Sequence, residues 1–258
     1  MKTLLSLLAL LLAATATHAA TDTRCFEMRV YYAAEGKLDA LHARFRDHTC
    51  KLFEKHGITN LGYFVPIGEN PERKLIYFLA YPSLDARNAS WKAFMADPDW
   101  QKAYKASEVD GKLVAKVESA YLGATDYSPL SKAEKVGHRV FELRTYTTEP
   151  GRLEHLNARF RDHTVSLFAK HGMTNVAYWN PLEDQKGASS PPDTKNTLIY
   201  LIAHASQDAA KASFGTFGKD SEWQAARKAS EEKAGGSLTI KGGVKSVFLV
   251  PTDYSAVK

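Results

Sequence analysis

Features that usually indicate a function class are missing from this chain. Its 258 residues are 44% hydrophobic and 24% charged, with a formal net charge of +5. Basic and acidic residues are interspersed, and the basic and aromatic residues do not form the pattern of a stacking groove. The composition therefore predicts a globular protein that does not bind nucleic acid.

Catalytic and cofactor motifs are missing as well. The chain contains no HExxH, CxxC, G-x-S-x-G, P-loop or dinucleotide-binding pattern. This argues against a zinc site, triad hydrolysis and nucleotide-dependent chemistry. His42, His48 and His56 do not follow a metal-ligand spacing. We predict no metal site and no resident cofactor.

Long apolar runs are confined to the N-terminus. In "MKTLLSLLALLLAATATHAA", Lys2 precedes an apolar stretch too short to span a bilayer, and Thr17 and Ala19 fit cleavage near Ala19. Residues 1–20 are therefore predicted to be a signal peptide, with an uncleaved membrane anchor as the alternative. We expect a mature protein that is periplasmic or secreted, without stable membrane insertion.

Cysteine is scarce, since Cys25 and Cys50 are the only two in the chain. Export to an oxidising compartment would allow them to pair. On a regular helical wheel, however, Cys50 lies about 140° from the apolar face centred on Phe45, and so points away from the sheet that would carry Cys25. We expect unpaired thiols, with a bond between chains as the other option.

An internal repeat is the strongest positive signal. The hexapeptide "RFRDHT" occurs at Arg44–Thr49 and at Arg159–Thr164, inside longer matching segments, and "TDYS" recurs near the end of each copy. The residues added in the second copy fall in "EDQKGASSPPDTKN", which has the composition of a loop. The repeat therefore predicts two folded units, residues 22–130 and 138–257.

Each unit has the pattern of a strand, a helix, two strands, a helix and a strand, the order of a ferredoxin-like fold. Such a unit leaves one face of its sheet bare. We expect that face to carry Tyr31, Leu75, Tyr77 and Leu79, and to need a partner. The predicted fold class is α+β, with two tandem ferredoxin-like βαββαβ units packed sheet to sheet.

The segments "FELRTY", "PGRLEHL", "RFRDHTVSLFAKHGMTN" and "YWNP" of the second copy resemble the NIPSNAP family, within the dimeric α+β barrel superfamily. The resemblance extends over both copies and implies an intrachain version of that barrel. Relatives in the superfamily include cofactor-free monooxygenases, isomerases and haem enzymes. Taking any of these activities over to this chain would be an analogy of fold alone.

The repeated histidines, His48 and His163, are the predicted catalytic residues. The wheel places them beside Leu41 and Leu156 at the edge of the apolar face, where a half-buried imidazole could do acid–base work. The alternative is a structural histidine paired with a carbonyl or carboxylate. The arginines of "RFR" are expected to flank that face and either extend their charged ends to solvent or form surface ion pairs.

A second candidate site lies on the first strand of each unit. Glutamate and arginine two residues apart share one face of a strand, which we expect to point away from the helices, into the space between the sheets. There they could bind a small anionic or aromatic molecule or, alternatively, fix how the two halves dock. The predicted ligand-binding residues are Glu27, Arg29, Tyr31, Tyr77, Glu142, Arg144, Tyr146 and Tyr200.

These patterns favour binding of a small molecule in cavities lined by tyrosine, arginine and histidine. A cofactor-independent enzyme of monooxygenase or isomerase type is one alternative, and a protein-interaction module without pocket chemistry is another. The sequence leaves open whether the protein forms a homo-oligomer.

Overall fold

The computed structural model describes residues 22–129 and 139–258, so the predicted signal peptide lies outside the described residues. Two copies of the order βαββαβ follow each other along the chain. The strands are β1 (Cys25–Ala33), β2 (Thr59–Pro66), β3 (Lys74–Tyr81), β4 (Val114–Ala124), β5 (Val140–Thr148), β6 (Thr174–Pro181), β7 (Thr197–His204) and β8 (Thr239–Pro251).

The helices form an outer layer. The first helix of each copy is continuous but changes from α to π geometry in its middle, and the second is broken into two, in the first copy at Pro98 as expected. The segments are α1 (Leu38–Arg44), π1 (Phe45–Thr49), α2 (Cys50–Lys55), α3 (Leu84–Ala96), α4 (Pro98–Ser107), α5 (Leu153–Arg159), π2 (Phe160–Thr164), α6 (Val165–Lys170), α7 (Gln207–Phe217) and α8 (Ser221–Lys233). None of the helices in residues 22–129 and 139–258 is long and apolar enough to cross a membrane.

The eight strands close into one antiparallel barrel in the order β1-β3-β2-β8-β5-β7-β6-β4. Each copy contributes four strands, and the copies join where β2 pairs with β8 and β4 pairs with β6. Closure removes the free edges that two separate sheets would expose. The predicted α+β class, with two tandem units forming an intrachain barrel, is confirmed.

The barrel interior holds an apolar core shared by both copies. Phe26, Phe78, Phe141 and Trp179 belong to one buried cluster. The rings of Phe78 and Trp179 stack across the copies with their centroids 5.1 Å apart. Each buried phenylalanine contributes about 1.5–3 kcal/mol relative to exposure. The interior therefore supplies stability and holds the two copies together.

The sheet face that we expected to be bare is in fact covered by helices. Leu75, Tyr77 and Leu79 are buried in a cluster with Leu41 and Phe45 of the first helix. The prediction was wrong because both faces of these strands carry large side chains, so alternation alone does not tell them apart. Leucine and aromatic side chains occur on both faces, and Tyr77 is on the helix-covered one.

The π-helical segments explain a second difference from the sequence prediction. The Thr49 hydroxyl donates to the Arg44 carbonyl oxygen at 3.1 Å, and Thr164 repeats this bond to Arg159. A π turn contains one more residue than an α turn. The side chains that follow it therefore point in directions different from those that a regular α-helical wheel predicts. Cys50 accordingly packs against the helix–sheet cluster instead of pointing away from the sheet, and both cysteines are free thiols.

The end of each copy crosses over to the other copy. The backbone N–H of Thr252 donates to the Tyr63 carbonyl oxygen at 2.9 Å, and that of Thr125 donates to the Tyr178 carbonyl oxygen at 3.0 Å. The repeated "TDYS" segments therefore complete the opposite half of the molecule. This exchange places one C-terminal arm beside each first helix.

Candidate functional site

Two equivalent cavities lie between the helix layer and the barrel sheet, one in each copy. Their volumes are about 380 Å³ and 340 Å³. Shared positions in the first cavity are Arg29, Tyr31, Arg44, Phe45, Phe53 and Trp100. The corresponding residues in the second are Arg144, Tyr146, Arg159, Phe160, Phe168 and Trp223. The duplication has therefore produced two versions of one cavity.

A buried carboxylate anchors the floor of the first cavity. The Glu27 side chain is fully buried and accepts hydrogen bonds from Arg29 at 2.5 Å, Arg87 at 2.9 and 3.0 Å, Tyr81 at 3.0 Å and Trp91 at 3.1 Å. Burial would raise the pKa of Glu27, but the two guanidinium groups outweigh it and lower that pKa. The carboxylate stays ionised and fixes the position of Arg29.

The second cavity has the same anchor with fewer partners. Glu142 accepts from Arg144 at 2.5 Å and contacts Nε2 of the buried His204 at 3.1 Å. Burial would raise the pKa of Glu142, but His204 and Arg144 lower it. Ala210 stands at the position of Arg87 in the repeat. One permanent cation therefore replaces two beside this carboxylate.

An arginine stacked on an aromatic ring recurs at the wall of each cavity. The guanidinium carbon of Arg29 lies 4.5 Å from the centroid of Trp91, and that of Arg144 lies 4.7 Å from Phe214. The two arginine side chains keep 12% and 14% of their exposure. A planar guanidinium held in this way presents both a stacking surface and hydrogen-bond donors to a ligand.

Tyrosines lie next to the arginine of each cavity. Arg29 donates from Nε to the Tyr77 hydroxyl at 2.9 Å and from Nη2 to the Tyr31 hydroxyl at 3.3 Å. Burial raises the pKa of Tyr77 and of Tyr200 well above the ordinary value. Both phenols therefore remain protonated at neutral pH, and can serve as hydrogen-bonding groups but not as bases.

The structure brings the eight predicted ligand-binding residues together in two clusters, but on the opposite face from the one expected. Arg29, Tyr31, Arg144 and Tyr146 line the cavities, while the other four are buried beside them. The barrel space between the sheets, where we expected them, is filled by the apolar core. The helix-covered face can hold these charges because residues of the helix layer pair with them, as Arg87 of α3 does with Glu27.

The predicted catalytic histidines do not line either cavity. His48 is exposed, against the expectation of a half-buried position, and His163 is half-buried. Both lie in the π segments, whose altered rotation moves them off the apolar face on which the regular wheel placed them.

Sequence reasoning missed the two most deeply placed arginines of the site. Arg44 and Arg159 retain only 4% and 7% exposure, whereas Arg46 and Arg161 form the surface ion pairs expected of the "RFR" segments. The repeat could have identified them, because both copies keep arginine at this position. The regular wheel concealed their burial.

The described part of the chain holds no group of three or more histidine, cysteine, aspartate or glutamate residues placed to bind a metal ion. The aromatic residues and arginines that line the two cavities offer stacking, hydrogen bonding and charge recognition.

Comparison with known proteins supports the fold. A candidate monooxygenase from Lactobacillus acidophilus NCFM is 12% identical, with a TM-score of 0.54 over 92% of this chain and 97% of that one. A second candidate monooxygenase, from Fusobacterium nucleatum, is 10% identical with a TM-score of 0.55 over 89% and 92%. A NIPSNAP family protein of unknown function from Agrobacterium tumefaciens C58 is 24% identical and matches 44% of this chain and 98% of its own, with a TM-score of 0.38. No curated protein matches the chain.

The family comparison covers both copies. The NIPSNAP family model matches residues 26–129 and again residues 141–256, which together take in both helix–sheet cavities and the crossing arms. The chain belongs to the NIPSNAP family, with two copies of its domain in one polypeptide.

Proposed function

We propose that this protein binds a small, flat, mainly apolar molecule in each of its two helix–sheet cavities. The observation that carries this proposal is the recurrence, in both copies, of an arginine stacked on an aromatic ring and anchored by a buried glutamate. A charge-paired interface would need the ion pairs but would not need open volume beside them. Cavities of this size fit a small organic ligand.

The cavity walls define the class of ligand. Phe45, Phe53 and Trp100 present apolar surface, and the partly exposed Arg29 and Tyr31 present donors at one end. A fused-ring aromatic with one polar substituent would stack on the aromatic walls and direct that substituent to the arginine. The second cavity offers the same arrangement through Phe160, Phe168 and Trp223.

Blocking each mouth separately tests this proposal. Lys112 and Ser237 are exposed residues at the rims of the first and second cavities. Lys112→Trp and Ser237→Trp should each reduce the calorimetric stoichiometry of 2-naphthamide binding from two per chain to one, and the double variant should not bind. Melting temperatures serve as the control for folding. The absence of binding by the wild type, or a stoichiometry that neither variant changes, would refute the proposal.

A second candidate is cofactor-independent oxidation of an aromatic substrate. It is favoured by likeness of fold to proteins described as candidate monooxygenases and to an anthrone oxidase-like protein. With anthrone and O₂, one oxygen atom would enter the quinone and the other would leave as water with the two methylene hydrogens. The predicted acid–base roles of His48 and His163 belong to this candidate, and would require a substrate outside the two cavities.

Oxygen uptake separates oxidation from binding. Anthrone with wild-type protein should consume O₂ and form anthraquinone in equal amounts, faster than with the His48→Gln, His163→Gln double variant. Equal rates for the two proteins, corrected for spontaneous oxidation, would remove this candidate and leave binding alone.

We also propose that the mature chain is exported after cleavage near Ala19, on the pattern of residues 1–20. Intact mass spectrometry of protein recovered from the periplasm or culture medium should give a chain beginning at Ala20. A full-length mass in the membrane fraction would instead favour the uncleaved anchor.

A further inference from the structure

The two cavities differ in how their deepest arginine is neutralised. In the first, Arg44 donates from Nη1 to the Glu108 carboxylate at 3.1 Å and to the Ser107 hydroxyl at 3.3 Å. Burial would raise the pKa of Glu108, but hydrogen bonds from Tyr104, the Leu113 backbone and Arg44 outweigh it and lower that pKa. This carboxylate is ionised and held against Arg44, so the buried guanidinium has a close counter-charge.

The corresponding arginine of the second cavity lacks such a counter-charge. Arg159 Nη1 lies 3.5 Å from the Ser230 hydroxyl and 3.8 Å from the Glu231 carboxylate, the residues equivalent to Ser107 and Glu108. Its Nε, like that of Arg44, has no hydrogen-bond partner among the described residues, so the two arginines differ at Nη1 and its counter-charge. The side chain is nonetheless 93% buried, since 7% of it is exposed. A buried and weakly paired cation is costly unless something else neutralises it.

One substitution between the copies accounts for the difference. Tyr104, which holds Glu108 in place, is Arg227 in the second copy. Arg227 binds Glu231 itself, with an Nε–Oε1 distance of 3.2 Å. It competes with Arg159 for this carboxylate. Burial also lowers the pKa of Arg159, in agreement with an incompletely neutralised guanidinium.

Further unused donors lie near the same cavity. The Nε of Arg144 and the hydroxyl of Tyr200 are buried without a partner in the described structure. In the first copy the equivalent atoms are joined, because Arg29 Nε donates to the Tyr77 hydroxyl at 2.9 Å. The second cavity therefore has two arginines with spare hydrogen-bonding capacity on its wall.

We infer that the two cavities have different ligand preferences, and that the second binds an aromatic anion, with its carboxylate or similar oxyanion group neutralising Arg159. The first cavity, where Glu27 and Glu108 lie close to Arg29 and Arg44 as counter-charges, favours a neutral aromatic. This inference rests on the proposed function, because it assigns a charge to the ligand of each cavity. An Arg–carboxylate hydrogen bond in a desolvated site is strong enough to give discrimination of about tenfold or more.

The four tryptophans of the chain allow each cavity to be observed separately. Trp100 lines the first cavity, Trp223 lines the second, and Trp179 lies in the barrel core as an internal reference. Protein labelled with 5-fluorotryptophan should give fluorine NMR signals that can be assigned with Trp→Phe variants. The probes are 2-naphthoate and its neutral isostere, 2-naphthamide.

Naphthoate should shift the Trp223 signal at a concentration about tenfold or more below that needed for Trp100. Naphthamide should show no such preference. Arg159→Gln should abolish the preference for naphthoate, while the matched Arg44→Gln should preserve it. Should Arg159→Gln fail to fold, the exposed Arg227→Tyr serves instead, because it frees Glu231 for Arg159 and should weaken naphthoate binding severalfold.

The outcomes separate the two claims. If naphthoate shifts the Trp100 and Trp223 signals at the same concentration, as naphthamide does, the two cavities do not differ in preference. Ligand binding itself would then still be supported. Preference for naphthoate that survives both Arg159→Gln and Arg227→Tyr would overturn the role of Arg159. Absence of any shift at either cavity would refute the proposed function, and this inference with it.

Discussion

Arg46 and Asp253 lie 207 residues apart in the sequence, yet their side chains form a two-bond ion pair with N–O distances of 2.6 and 2.8 Å. Arg161 and Asp126 form the same pair in the other direction, at 2.6 and 2.9 Å. Each joins the "RFRDHT" helix of one copy to the "TDYS" arm of the other. The two motifs recur together because each half of the molecule supplies the arm that the other half needs.

The arms should therefore stabilise the opposite copy. The ring centroid of Tyr254 lies 5.3 Å from that of Tyr63, and the Tyr254 hydroxyl lies 2.7 Å from Nδ1 of His42. Tyr254 belongs to the second copy, and both of these partners belong to the first. Tyr254→Ala should cost about 2 kcal/mol, because a half-buried aromatic is lost. Hydrogen exchange should rise most in residues 38–66. The matched Tyr127→Ala should raise exchange most in residues 153–181, and increases within the variant's own copy would contradict the exchange of arms.

Removal of the buried carboxylates should have unequal effects. Glu27→Gln leaves two buried guanidinium groups without a counter-charge, so we expect a loss of about 3–5 kcal/mol in the free energy of unfolding. Glu142→Gln leaves Arg144 as the one permanent cation that the described residues place in contact with this position, and should cost less. Urea unfolding at neutral pH compares them. Equal losses would show that Arg87 contributes little to the first cluster.

The same carboxylates should make stability depend on acid pH. Their pKa values are lowered on folding, so the unfolded chain binds more protons in this range and stability rises with pH. The contribution is complete above the ordinary carboxyl pKa of about 4.3 and is lost as the pH falls through the lowered values. Calorimetry should show a shallower fall in melting temperature below pH 4 for Glu27→Gln than for a variant of the exposed Glu69. Parallel curves would contradict this assignment.

The architecture could be predicted because the duplicated segments recur in the same order at a nearly constant separation along the sequence. Two copies with matching elements, a loop insertion and a glycine after each first helix could be identified without coordinates, and Gly57 and Gly172 indeed adopt φ values of 73° and 78°. The faces could not be assigned in the same way. Tyr77 and Phe78 are both large and mainly apolar, so their alternation does not show which one faces the helices. Nor did composition reveal the π segments, which control where His48 and Cys50 point.

The exposed position of His48 leads to a direct test of its predicted catalytic role. His48→Gln should change the free energy of unfolding by less than about 0.5 kcal/mol, as is usual for a surface residue. Binding of 2-naphthamide should also be unchanged, because the side chain lies outside both cavities. His163→Gln serves as the partner variant. Loss of binding in a folded variant would restore the histidines to the ligand site.

The two thiols should be slow to react. Burial raises the pKa of Cys25 and of Cys50 to about 11, so only about a thousandth of each is thiolate at pH 8. Iodoacetamide should therefore modify the folded protein far more slowly than a small free thiol, and Cys50, which is half-buried, should react before the buried Cys25. The rate at Cys50 should rise about tenfold per pH unit, because thiolate is the nucleophile. Peptide mass spectrometry after timed labelling measures both sites. Rapid labelling of Cys50 at pH 7 would mean that a nearby positive charge lowers its pKa by more than burial raises it. A Cys25–Cys50 crosslink would mean that the folded chain brings the two sulfurs together.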